Sequence, residues 1–240
     1  MFSIYLITLK QLLRHSTIWY INLFAIVSSE LAPPFAELFT FGRVELAVID
    51  AVQACVYVGI LLSAINACYA LMGKELNEKV ALTLFTKPLS MHSFVLGKYW
   101  ALLSCILIVC MVQSLWMYKQ AFVLGWSNLG FMIALMAIYS VFCQGVILLS
   151  LAVFLTASIG PLLGIFTLIS LWLIGYIVPQ SFLPYICWAV PPFKWYDLSP
   201  VIYEGRMVSG VYLLLLGIFA LAYSSFCVIL AARVLKRKEF

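Results

Sequence analysis

Lys74–Trp100 reads KELNEKVALTLFTKPLSMHSFVLGKYW, a charged, helix-forming segment set between two long apolar runs. Glu75 and Lys79 stand four residues apart with the acid first, the order that supports a helix. Leu76, Val80 and Leu84 recur every fourth residue with Ala81 and Phe85 beside them, so one face is apolar. Lys87-Pro88 stops the helix, because the residue before a proline is pushed out of the α region. An amphipathic helix between two membrane-spanning runs is a docking element or a membrane-surface helix.

The composition fits that reading. Of 240 residues, 65% are hydrophobic and 10% charged, against about 45–50% and about 25% in soluble domains. A water-soluble fold could not bury so much apolar surface, so the class is an all-α polytopic membrane protein. The chain reads as a single membrane domain over 1–240. The opening MFSIYLITLKQLLRHS does not read as a cleavable signal, because Lys10 and Arg14 follow the apolar run instead of preceding it.

A span needs about 20 apolar residues. Six are expected, at 17–36, 48–72, 93–117, 129–156, 159–180 and 211–234. Ahead of them, Ile4, Leu6, Ile7, Leu12 and Leu13 share one face and Lys10, Gln11 and Arg14 the other, so 1–16 suits an interfacial helix lying flat. The 156–161 connection, Thr-Ala-Ser-Ile-Gly-Pro, is minimal and uncharged. Within 181–210, Pro184, Pro191, Pro192 and Pro200 forbid one continuous helix. Phe182, Tyr185, Trp188, Phe193, Trp195 and Tyr196 between them suit the headgroup layer. Broken or re-entrant external helices are expected there, buried in protein or lining a wet cavity.

Basic residues set the expected orientation. The N-terminus, the 73–92 segment with the start of span three, and the C-terminus hold ten Lys/Arg against three acids. The opposite side holds four, Arg43, Lys119, Lys194 and Arg206, against six acids. Both termini are therefore expected in the cytoplasm, and the basic charge marks topology and anionic lipid, not nucleic acid.

These features together resemble the permeases of the type-2 ABC exporter family. The likeness rests on Glu75 and Glu78, Thr83-Leu84, Lys87-Pro88 and Gly97-Lys98 as a coupling segment, and on the layout of elbow, six spans, external helices and basic C-terminus. Permeases linked to multicopper-enzyme maturation are the nearest in kind. His92 departs from the pattern, where relatives commonly carry arginine. The resemblance implies a homodimer in a bacterial cytoplasmic membrane, with spans one and five at the seam and separate ABC ATPase subunits as partners. It is compatible with an external accessory protein. Glu75, Leu76, Glu78, Val80, Leu84, Phe85 and Lys87 would touch the ATPase. The segment 73–92 would transmit its closure as an inward-to-outward switch exporting a substrate.

No phosphate-cradling loop is visible: Glu75 follows Gly73-Lys74 where Ser or Thr is needed, and no glycine precedes at the required spacing. ATP and magnesium are thus expected on the partner, with no catalytic, cofactor or metal residues in this chain. Cys55, Cys68, Cys105, Cys110, Cys143, Cys187 and Cys227 contain no C-x-x-C pair, and six of them sit in apolar runs, where cysteine packs as a small hydrophobe. Polar groups at membrane depth are costly and point to function. Asn22, Gln53, Asn66, Gln113 and Gln144 read either as helix–helix hydrogen bonds or as the lining of a cargo path. Glu30 and Asp50 lie near the outer boundary, where snorkelling to headgroups competes with a cargo role. Two other classes remain open: a membrane-embedded enzyme acting on a lipid or isoprenoid, and a non-transporting scaffold.

Overall fold

Among the described residues, seven long helices are bound to one another by a few fixed contacts that set their directions. The computed structural model describes residues 2–14, 16–39, 44–66, 91–123, 125, 128–177, 190–198, 200–201, 204 and 206–237. The helices are α1 Phe2–Arg14, α2 Ser16–Phe39, α3 Val44–Asn66, α4 Met91–Val123, α5 Asn128–Ile159, α6 Pro161–Ile177 and α7 Gly210–Arg237, with a 3-10 turn at Phe193–Tyr196. Among the described residues there is no strand. The protein is an all-α membrane protein, and among the described residues four stretches are long and apolar enough to cross a bilayer: Val48–Asn66, His92–Val123, Gly130–Ile159 and Gly210–Arg237.

Two of the six expected spans are less apolar or shorter. α2 has the length, 24 residues, and continues through Pro33 and Pro34. Those prolines offer no N–H to the carbonyls of Ser29 and Glu30, and Glu30 itself lowers the apolar character. α6 has 17 residues, about 26 Å at 1.5 Å per residue. α4 runs to Val123, past the expected end at 117, so Lys119 lies on a helix and not in a loop. The coupling segment, with Glu75, Leu76, Glu78, Val80, Leu84, Phe85 and Lys87, lies outside the described residues, as do 67–72 of span two.

Cross-helix contacts give the directions. Leu12, just ahead of α2, lies with Leu102 and Cys105, and Glu30 meets Lys119 and Gln120, so α2 and α4 run alike. Tyr57 and Ser140 converge on one carbonyl, that of Tyr196, and Ile60 faces Gly145, so α3 and α5 run alike. Ile60 stands level with Ile106 at Gly145 while Ser63 and Asn66 lie with Leu102, so α4 opposes both. Gln144 pairs with Tyr176 and Gly164 abuts Thr156, so α6 opposes α5. Tyr139 reaches Leu213 and Ser150 meets Cys227, so α7 runs with α5. α2 to α7 thus alternate in direction. One end of the bundle carries the 3-10 turn. The other collects α1, Asn66, Met91 and Arg237.

α5 is the hub and packs on α3, α4, α6 and α7. Lipid tails are as apolar as leucine, so such bundles are held by close packing and interhelical hydrogen bonds. Small residues provide that closeness. A Cβ on Gly145 would stand 3.1 Å from two carbons of Ile60 and 3.4 Å from Ile106 Cδ1. A Cβ on Gly164 would stand 3.3 Å from the Thr156 backbone nitrogen. The expected minimal connection is a single residue, Gly160, at φ +89°. There L-residues are strained and glycine is not, and Gly164 N–H returns to the Gly160 carbonyl at 3.0 Å.

α1 is tied down at two points. Ser104 Oγ donates to Trp100 O at 2.9 Å, so Tyr5 OH, 3.1 Å away, donates to Ser104 Oγ. Trp19 Nε1 donates to Leu13 O at 2.9 Å, satisfying a carbonyl that the end of α1 leaves open. The bend between α1 and α2 is therefore pinned by a side chain.

Candidate functional site

Three sets of buried polar groups lie towards the end that carries the 3-10 turn. The first is built around the turn itself. Pro191 and Pro192 keep the chain out of a continuing helix, and Phe193 and Tyr196 are 0% exposed. Both rings are wedged among the helices, because α6 offers Gly175 where a side chain would block them. A Cβ there would stand 2.6 Å from Phe193 Cδ2 and from Pro191 O. Phe193 lies parallel to Tyr176, centroids 6.4 Å apart, and Trp172 meets Tyr176 edge-on at 5.3 Å.

Hydrogen bonds hold the wedge from three helices. Tyr57 OH donates to Tyr196 O at 2.9 Å, and Ser140 Oγ donates to the same carbonyl. Tyr196 OH donates to Leu216 O at 3.0 Å, and Tyr212 OH to Trp195 O at 2.7 Å. Burial pushes the Tyr196 phenol well above its ordinary value, so it stays a neutral donor.

The second set joins α5 to α6. Gln144 Nε2 donates to Tyr176 OH at 2.9 Å, and Tyr176 OH reaches back to Gln144 Oε1 at 3.3 Å. Gln144 is fully buried, and this pair clamps α5 to α6.

The third set lies in the triangle of α2, α3 and α4, which pack on one another pairwise. Its outer edge is an ion pair. Lys119 Nζ stands 2.8 Å from Glu30 Oε1, Gln120 Nε2 donates to the same oxygen at 2.9 Å, and Lys119 lies 4.0 Å over the Trp116 ring. Deeper in, Gln53 is 3% exposed and Gln113 0%. Gln53 Nε2 donates to Tyr57 OH at 3.3 Å. Gln53 Oε1, both polar atoms of Gln113 and Trp116 Nε1 find no hydrogen-bond partner among the described residues. Each such buried group costs about 1–3 kcal/mol, and native proteins carry few of them.

Helix geometry puts these groups at one depth. Ile60 and Ile106 both face Gly145. Two turns further towards the 3-10 turn, about 10.5 Å at 1.5 Å per residue, stand Gln53 on α3 and Gln113 on α4. Two turns back from Gln120 is again Gln113, and two turns back from Glu30 on α2 is Leu23, beside the buried Asn22. Asn22, Gln53 and Gln113 therefore form one amide layer across three helices.

Asn66 stands apart, at the opposite end. It lines a small cleft with Leu12, Ser63, Leu102, Cys105 and Leu149. Lys98, at the start of α4, is 1% exposed, with its ammonium 5.0 Å from the centroid of the Phe94 ring. Among the described residues no three His, Cys, Asp or Glu side chains gather as metal ligands would. Of the seven cysteines, Cys55, Cys105, Cys110, Cys143 and Cys227 are described, and all five are free thiols.

The sequence marks Asn22, Gln53, Gln113, Gln144 and Tyr196 but not Tyr57, Ser140, Tyr176, Trp116 and Gln120. A tyrosine or tryptophan inside an apolar helix needs a partner for its O–H or N–H, and that need was the available signal. The chain matches no protein-family model and no curated protein.

Proposed function

We propose that the chain is the membrane permease subunit of an ATP-driven exporter of the type-2 ABC kind. Two copies pair in a bacterial cytoplasmic membrane, both termini face the cytoplasm, and ATP is hydrolysed by separate subunits. α2 and α6 serve as the first and fifth of six crossings. The observation that carries this reading is the amphipathic 74–88 pattern in the chain between Asn66 and Met91. Those two residues end α3 and begin α4 at the end of the bundle shared by α1 and Arg237. The charged segment and both basic termini then belong to one side, in agreement with the ten-to-four distribution of Lys and Arg.

The alternating directions of α2 to α7 support six crossings. Leu23, Phe24, Val27 and Leu31 of α2, and Leu162, Leu163 and Phe166 of α6, leave apolar surface uncovered, which suits lipid or a second copy. The substrate leaves the cytoplasm or inner leaflet when ATP-driven closure of the ATPases favours one of two states of the bundle.

The test is co-purification with an ABC ATPase expressed beside this chain. Burying Leu84 or Phe85 in a groove contributes about 1.5–3 kcal/mol each, so Leu84→Ala or Phe85→Ala should weaken the complex about tenfold or more while the chain still inserts. If both variants hold the ATPase as tightly as the wild type and sustain the same ATP turnover, 74–88 is only a membrane-surface helix and the permease reading fails.

A further inference from the structure

We propose that the amide layer of α3 and α4 is a hydrated binding site within one copy of the chain, reached from the turn-bearing end and closed there by the Glu30–Lys119–Gln120 bridge. Its ligand is a small uncharged molecule that both donates and accepts hydrogen bonds: water, or the carboxamide or hydroxyl of a solute in its place. The site needs only that the bundle lies in a membrane; it does not depend on the ATPase.

The argument rests on which atoms lack partners. Gln53 Oε1 and Gln113 Oε1 accept, while Gln113 Nε2 and Trp116 Nε1 donate, and none finds a partner among the described residues. One of these atoms is on α3 and three are on α4; the two helices pack on each other, and Gln53 and Gln113 stand at matching depth, each two turns from an isoleucine that faces Gly145. In an apolar bundle such groups persist where a ligand satisfies them, since a leucine would fill the same space without unmet hydrogen bonds. Their chemistry sets the class, because amides and an indole carry no charge, and Glu30 and Lys119 at the triangle's edge neutralise each other.

The bridge sets the route. Trp116 lies one turn beyond Gln113 on α4, and its ring carries the Lys119 ammonium. Lys119 and Glu30 are each about half exposed. The ion pair thus stands between solvent and the layer. Opening it requires only that two side chains swing away, with no movement of a helix.

The full chain in lipid nanodiscs, with its native cysteines replaced by serine or alanine, tests this with a cationic methanethiosulfonate. Gln113→Cys should label slowly, and Glu30→Gln should raise that rate at least tenfold. Val141→Cys, in the dry core, should not label in either background. Acetamide present during the reaction separates the sources of the ligand: protection assigns the site to a solute's carboxamide, and unprotected labelling assigns it to water. Gln53→Cys gives the same reading from α3 should Gln113→Cys fail to insert. If neither cysteine labels, with or without Glu30→Gln, while both label after denaturation, the layer is dry packing and the proposal is wrong.

Discussion

Glu30 and Lys119 stand 2.8 Å apart across α2 and α4, with Gln120 on the same carboxylate oxygen at 2.9 Å. The two residues lie 89 positions apart in the chain. Their pairing joins α2 to α4 at one end, as Trp19 on Leu13 O pins the start of α2 at the other. Glu30 also sits just before Pro33 and Pro34, where α2 has lost two internal hydrogen bonds. The ion pair therefore braces the weakest stretch of that helix.

Both side chains are about half exposed, so the pair should contribute modestly, about 0.2–1 kcal/mol. Glu30→Gln and Lys119→Met should each lower the thermal midpoint slightly. The double variant should lose less than the sum of the two. Additive losses in a double-mutant cycle measured in detergent would show that the pair carries no coupling.

Gly175→Ala should destabilise the protein by about 1–3 kcal/mol through overpacking. Alanine's helix propensity, worth about 1 kcal/mol over glycine, does not offset a methyl placed 2.6 Å from Phe193 Cδ2 and Pro191 O. Gly210→Ala, at the open start of α7, meets nothing within 4 Å and should be neutral or slightly stabilising. Thermal unfolding of the two variants side by side decides it, and equal stability would remove the wedge as a packing constraint.

Tyr57→Phe and Ser140→Ala each take one donor from Tyr196 O. Either alone should cost about 0.5–1.5 kcal/mol, because the other donor remains. Together they leave a buried carbonyl bare, and the loss should exceed the sum of the singles. Limited proteolysis around residues 190–198, combined with unfolding, reads the effect. A double variant no worse than one single would mean that the turn is held by packing alone.

Lys87→Cys and Lys194→Cys should be labelled from opposite sides of the membrane by an impermeant thiol reagent, each in a background without the native cysteines. Lys194 is exposed on the 3-10 turn at one end of the bundle, while 67–90 connects helix ends at the other. Labelling of both from the same side in intact cells would overturn the expected topology.

Part of this site was legible before any fold. Gln53, Gln113 and Gln144 stand out as amides inside apolar runs, because burying an amide in a membrane is costly wherever the helix points. Their fates were not legible. Gln144 is satisfied by Tyr176 on α6, while Gln113, equally buried, has no partner among the described residues. The difference lies in what faces each residue, and no pattern within α4 or α5 carries that information. Apolar content that ends near 117 assigns Lys119 to a loop, but the helix continues six residues further and brings it onto Glu30.

The sequence by itself determined the class, the long apolar helices and a minimal connection within 156–161. Composition, periodicity and the backbone limits of glycine and proline act over a few neighbouring residues. Only the tertiary structure decided that Tyr57 and Ser140 share the carbonyl of Tyr196, that Phe193 lies against Gly175, and that three amides stand level across α2, α3 and α4. Such meetings depend on the rotation and axial offset of helices distant in the chain, 139 residues in the case of Tyr57 and Tyr196. Those two quantities are set by packing among all the helices at once.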